Sequence, residues 1–211
     1  MLISYQHRFL FIHIYKVAGS SISKALEDYV HRPERLRVLR LLRRSGLPLP
    51  LPFYKLKMFP AHISICKVQQ ALPAQIFNSL FKFAFVRNPW DWQVSLYHYM
   101  LQEPTHHQHE LITAMSGFEE YLEWRVSCEK RLQKDFIADE AGNLLVDFVG
   151  KYENLANDLA RICERLGVQA DLPHLRKSVH RDYRDYYNQR TIKLIEEHFQ
   201  PDIECFGYTY E

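Results

Sequence analysis

The chain has no apolar run long enough to cross a bilayer, so a helical membrane span is not expected. Its start, Met1-Leu2-Ile3-Ser4-Tyr5-Gln6-His7-Arg8, lacks the basic lead, apolar stretch and small-residue cleavage site of a secretory signal, and a cytoplasmic protein is the expectation. Cysteine is scarce. Cys66, Cys128, Cys163 and Cys205 stand far apart with no CxxC pair, which argues against a zinc site and fits free thiols in a reducing compartment. There is no GxxxxGK run followed by Ser or Thr, so a Walker A loop is excluded, and Lys16 is followed by Val17 rather than by a hydroxyl that could hold magnesium; no metal is expected. Repeats and low-complexity tracts are absent as well. Formal net charge is only +2, which speaks against a nucleic-acid binder that works through overall basicity.

What is present suits one globular domain over residues 1–211, 47% hydrophobic and 25% charged. The charge is uneven. His31 to Lys57 holds six arginines and two lysines against Glu34, a local +7 that leaves about −5 elsewhere. Within residues 31–60 the basic half meets Gly46 and then Pro48, Pro50 and Pro52, which prohibit regular helix or central strand. This segment reads as a basic, Pro-rich flap or substrate arm.

Phe9–Ile14 reads as a first strand, Phe81–Val86 as a second and Leu144–Tyr152 as a third. A helix capped by Ser20 or Ser21 follows the first. Pro89 opens another helix that buries Trp90, Val94, Tyr97 and Leu101. Ser116-Gly117-Phe118-Glu119 has capping-box form before a helix over Tyr121–Val126. A helix from Asn154 carries Leu155, Leu159, Ile162, Cys163 and Leu166 on one stripe and ends at Gly167, and a last helix over about 189–199 stops before Pro201. Strands alternating with helices predict a largely parallel sheet covered on both faces, with ligands outside the strands' carboxyl ends.

Two segments stand at such ends. Phe-Ile-His-Ile-Tyr-Lys-Val-Ala-Gly-Ser-Ser-Ile over residues 11–22 is strand, tight loop and helix start, a place where unpaired N–H groups face an anion. Arg87-Asn88-Pro89-Trp90-Asp91-Trp92-Gln93-Val94-Ser95 sets a guanidinium at a strand end and a hydroxyl two turns into a helix, a pair able to hold one phosphate. The residues alone leave both open to blander roles: an ordinary turn with a solvated lysine, and a serine bonded to its own helix.

Together these segments closely resemble the two nucleotide signatures of sulfotransferases, in the carbohydrate sulfotransferase branch and its short bacterial form. The likeness continues through Val146–Leu155, Leu172–Ser178, Tyr183–Tyr187 and the ending Asp202–Tyr208, so it spans nearly the whole chain in order. It implies a P-loop, nucleotide-kinase-like three-layer α/β fold with a central mainly parallel sheet flanked by helices. It also implies transfer of a sulfuryl group from 3′-phosphoadenosine-5′-phosphosulfate (PAPS) to a hydroxyl of a carbohydrate or related acceptor. By the resemblance, Lys16 serves the bridging and leaving-group oxygens, and Val17, Ala18, Gly19, Ser20 and Ser21 cradle the 5′-phosphate. Arg87 and Ser95 hold the 3′-phosphate, and Arg176, Lys177 and Ser178 form a late loop near nucleotide or acceptor.

His62 looks like the histidine that acts as base in the uronyl 2-O branch; the residue alone is equally a structural histidine at a strand end. His13 reads as structural, and His106, His107 and His109 as a solvated loop whose spacing fits no standard metal site. Tyr15 stands where many members have proline, Val17-Ala18 where Thr-Gly is common, and Gln93 where arginine is frequent. The rival from another class is a non-catalytic polyanion- or nucleotide-binding module on the same fold.

Overall fold

The computed structural model describes residues 1–30, 53–129, 131–173 and 181–211. Most of the basic arm and all of Arg176-Lys177-Ser178 lie outside the described residues. The centre is a four-stranded sheet in the order β1-β2-β3-β4, formed by β1 (Leu2–Ser4), β2 (Phe9–Ile12), β3 (Phe81–Val86) and β4 (Phe148–Lys151). Phe-Leu-Phe-Ile and Phe-Lys-Phe-Ala-Phe-Val show no polar alternation because both faces are covered: β2 is wholly buried, and β3 is buried after Phe81. β2 pairs with β3 in parallel, Phe9 opposite Phe81, and β3 with β4 in parallel, Phe83 opposite Phe148. The carboxyl ends of three neighbouring strands therefore open on one edge.

β1 is an antiparallel addition to the three expected strands, Leu2 opposite Phe11. Three residues are too few to show a period. β3 has the expected bounds, while two strands are shorter than their apolar patterns: β2 ends at Ile12, and Leu144 only bridges Ala138 before β4 begins at Phe148.

Helix α1 (Gly19–Ala25) follows β2, and α2 (Ile65–Ala71) and α3 (Ala74–Ser79) precede β3. Helices α4 (Pro89–Gln102), α5 (His109–Thr113) and α6 (Phe118–Cys128) lie between β3 and β4. After β4 come α7 (Leu155–Leu166), α8 (Gln189–His198) and α9 (Gln200–Phe206). Neither serine caps α1: its N-cap is Ala18 in the left-handed region, and Ser20 and Ser21 fall inside the first turn. The cap of α6 is Gly117, with the Ser116 N–H and hydroxyl donating to Glu120, one residue beyond the expected partner. Pro201 does not end the chain's last helix. It sits in the first turn of α9, where a missing N–H costs nothing. α7 matches expectation, its Leu159, Ile162 and Cys163 buried and Gly167 ending it at φ 63°.

α4 positions the second signature. Asn88 caps it by accepting from the Trp90 N–H at 3.0 Å, and Pro89 occupies the first turn. The predicted single stripe is too narrow: Trp92, Gln93, Ser95, Leu96 and Met100 are buried as well, because α5, α6 and α8 pack around this helix. Among the described residues no helix is long and apolar enough to cross a membrane, and the four cysteines are free thiols.

Candidate active site

The loop leaving β2 carries two left-handed residues, Lys16 (φ 62°) and Ala18 (φ 60°), with Val17 between them outside that region. Such alternation turns successive N–H groups to one side, the backbone form of an anion nest. An alanine held there is strained by about 1 kcal/mol relative to its usual conformation, a cost that persists where surrounding structure overrides it. Gly19 is needed for closeness: a Cβ would stand 1.8 Å from His13 Nε2. The His13 ring props the end of the loop, and burial pushes its pKa down to about 3, so it stays neutral.

The Lys16 ammonium lies over the Tyr99 ring of α4, 4.3 Å from its centroid. The Lys16 carbonyl accepts from Arg87 Nη1 at 3.3 Å, so the two signatures touch across the ends of β2 and β3. Arg87 is 4% exposed. Its Nε donates to Asp91 at 2.7 Å, and its plane covers the Tyr152 ring at 4.0 Å. A buried guanidinium held in one orientation by such contacts is suited to a phosphate. Trp92, Ser95 and Tyr99 follow one another at helical spacing. Trp92 donates to the Tyr15 carbonyl at 2.8 Å and Tyr99 meets Lys16, so buried Ser95 lies on the face of α4 turned to the loop. Ser21 is buried in α1 and Ser20 exposed.

Supports for Arg87 and Asn88 come from segments distant in the chain. Gln133 clamps the Arg87 backbone, accepting from its N–H at 2.9 Å and donating to its carbonyl at 2.8 Å. Fully buried Asp202 in turn accepts from the Gln133 and Lys134 N–H groups. Glu153, just beyond β4, accepts from the Asn88 N–H at 2.7 Å and from the Tyr208 hydroxyl at 3.0 Å. Glu153 lies in the stretch Val146–Leu155 that resembles the family.

Burial raises the Asp202 pKa from 3.8 to about 6, against the lowering pull of the two N–H groups. A raised carboxyl pKa stabilises the fold fully below 3.8 and loses that contribution as pH rises through about 6. Relative to Asp202→Asn, wild-type stability is expected to fall by roughly 2 kcal/mol between pH 4 and 7. Thermal unfolding of both proteins across that range checks it; parallel curves would refute the titration.

His62 is exposed at the loop's flank. Its ring meets His13 at 4.6 Å and Tyr15 at 6.0 Å. Its Nδ1 lies 2.9 Å from the His13 carbonyl, which only accepts, so Nδ1 carries the proton and Nε2 the lone pair. The His106–His109 stretch is more engaged than a solvated loop: His106 contacts Tyr99 edge-on at 5.6 Å, and His109 Nδ1 meets the Met100 carbonyl. Among the described residues no three His, Cys, Asp or Glu are grouped to hold a metal ion.

A mainly parallel α/β sheet with an anion-nest loop, a lysine and a buried arginine at its carboxyl edge is the arrangement in which open α/β proteins hold phosphate-bearing ligands. The family model described as "Sulfotransferase family" matches residues 1–209, and the chain belongs to that family. Among solved structures it is similar to the mouse sulfotransferase SULT7A1 complexed with PAP, at 15% identity, with a TM-score of 0.54 over 98% of this chain and 91% of that one. That likeness bears on the fold, which is the one expected. No curated protein matches the chain.

Proposed function

We propose that the chain transfers the sulfuryl group of PAPS to a hydroxyl of a carbohydrate or related acceptor. The observation that carries the reading is the contact of Arg87 with the Lys16 carbonyl, which joins both signatures into one site at adjacent strand ends. The loop amides from Val17 to Ser21, with the Ser20 and Ser21 hydroxyls, take the 5′-phosphate, and Arg87 with Ser95 takes the 3′-phosphate. His62 Nε2 accepts the proton of the acceptor hydroxyl as its oxygen bonds to sulfur. The bond from sulfur to the bridging oxygen breaks, the bonding pair leaves with 3′-phosphoadenosine 5′-phosphate (PAP), and Lys16 meets the charge growing on that oxygen. The seven net positive charges of residues 31–57 favour an acceptor that carries negative charge. Arg176, Lys177 and Ser178 are assigned to the same nucleotide or acceptor region by resemblance alone.

Calorimetric titration tests the donor. Wild type is expected to bind PAP far more tightly than adenosine monophosphate or ATP, and Arg87→Ala to weaken PAP by about 10- to 100-fold, the worth of hydrogen bonds to a charged group. Equal binding of all three nucleotides would favour the polyanion-binding module instead.

A further inference from the structure

A buried polar hub lies beside the loop, outside the residues assigned above. Arg125, on α6 at 2% exposure, occupies the position one turn after Tyr121 where the helix's buried stripe would take an aliphatic side chain. Its guanidinium is spread over three partners. Nη2 donates to the Tyr15 hydroxyl at 2.7 Å, Nε donates to Gln93 Oε1 at 3.2 Å, and Nη1 pairs with Glu129 at 3.4 Å. Tyr121 also donates to Gln93 Oε1, at 3.1 Å. The Gln93 Nε2, on a fully buried side chain, has no partner among the described residues.

Tyr15 is where the hub meets the loop. Its carbonyl is held by the Trp92 indole N–H, its ring stacks on Trp92 at 4.9 Å, and its edge meets Phe136. Arg125 holds the remaining free end, the hydroxyl. Tyr15 directly precedes Lys16, whose backbone is left-handed, and its ring flanks His62. Both ends of Tyr15 are thus pinned where the loop departs from its strand.

We infer that Arg125 is a positioning residue: acting through the Tyr15 hydroxyl, it sets the loop from which Lys16 projects and the ring against which His62 rests. The catalytic half of this inference rests on the sulfotransferase reading; the positioning half does not. The variants are Tyr15→Phe, which removes one oxygen and is expected to fold, Arg125→Met, and both together. The first readout is hydrogen exchange of the Trp92 indole N–H, followed by NMR without any ligand. Exchange is expected to rise about tenfold in each variant, because the bond to the Tyr15 carbonyl is no longer held taut.

The second readout is PAP release from PAPS, with PAP affinity measured alongside. Each single variant is expected to slow release about tenfold with PAP affinity within twofold, and the double variant to be no slower than Arg125→Met, the signature of one shared pathway. Unchanged indole exchange in Tyr15→Phe overturns the inference, as does additivity of the two substitutions in release. Faster exchange in a protein whose wild type binds no PAP would uphold the positioning and sink the donor reading, so the two fail separately.

Discussion

Lys16→Met is expected to slow PAP release from PAPS by about 100- to 1,000-fold while weakening PAP itself only a few-fold. Methionine keeps the length and volume of the stem and leaves the loop's left-handed residue as strained as before, so the change is close to a deletion of charge. In the proposed site the ground-state phosphates have other partners, the loop amides and Arg87. In the transition state the sulfur–oxygen bond stretches and negative charge collects on the bridging oxygen, which the amides do not address. A cation there contributes more as the charge grows, which is the condition for raising a rate rather than an affinity. The Tyr99 ring under the ammonium matters to the same end, since it holds a long flexible side chain in one region without neutralising it. Single-turnover release, set beside calorimetric PAP binding, separates the two effects. Equal losses in rate and affinity would reduce Lys16 to a binding residue.

The parts of this molecule that were legible in the sequence are those written in consecutive residues. β2, β3 and the segments leaving them are apolar runs broken by Lys16 and by Arg87-Asn88-Pro89, and a parallel sheet puts such breaks side by side without further information. The end of α7 at Gly167 was legible for the same reason. What escaped is nonlocal or too brief to repeat. Gln133 and Asp202 lie 46 and 115 residues from Arg87 and support it through single side chains with no period and no company. Arg125 left a trace, an arginine on a buried stripe, but the trace does not say what it reaches. Pro201 was read as a stop when a tight junction between two helices allowed it to be a start. The serines of the loop were read as caps because a hydroxyl at a helix start usually is one. The left-handed Ala18 already turns the chain into α1, so both serines fall inside its first turn rather than at its cap.

His62→Gln is expected to slow sulfuryl transfer by about 100- to 10,000-fold, the range for removing a positioned general base. Glutamine keeps a side-chain N–H for the His13 carbonyl, so the flank of the loop is conserved and the loss is chemical. The pH profile gives a sharper prediction than the rate. Burial lowers the His62 pKa below 6.5; the His13 carbonyl pulls the other way by favouring the imidazolium, while the Met1 ammonium and Arg131 add to the lowering. With His62 as the base, transfer needs its neutral form, so the acid limb of wild-type kcat/KM is expected to be centred below pH 6.5. His62→Gln should lose that acid limb along with the rate. The neighbouring His13 cannot produce the limb in its place, because burial has already taken its pKa to about 3, outside the working range. An acid limb that survives in His62→Gln would therefore move the base to another residue, and an ordinary limb centred above pH 6.5 would mean that His62 sits in open solvent rather than against His13 and Tyr15.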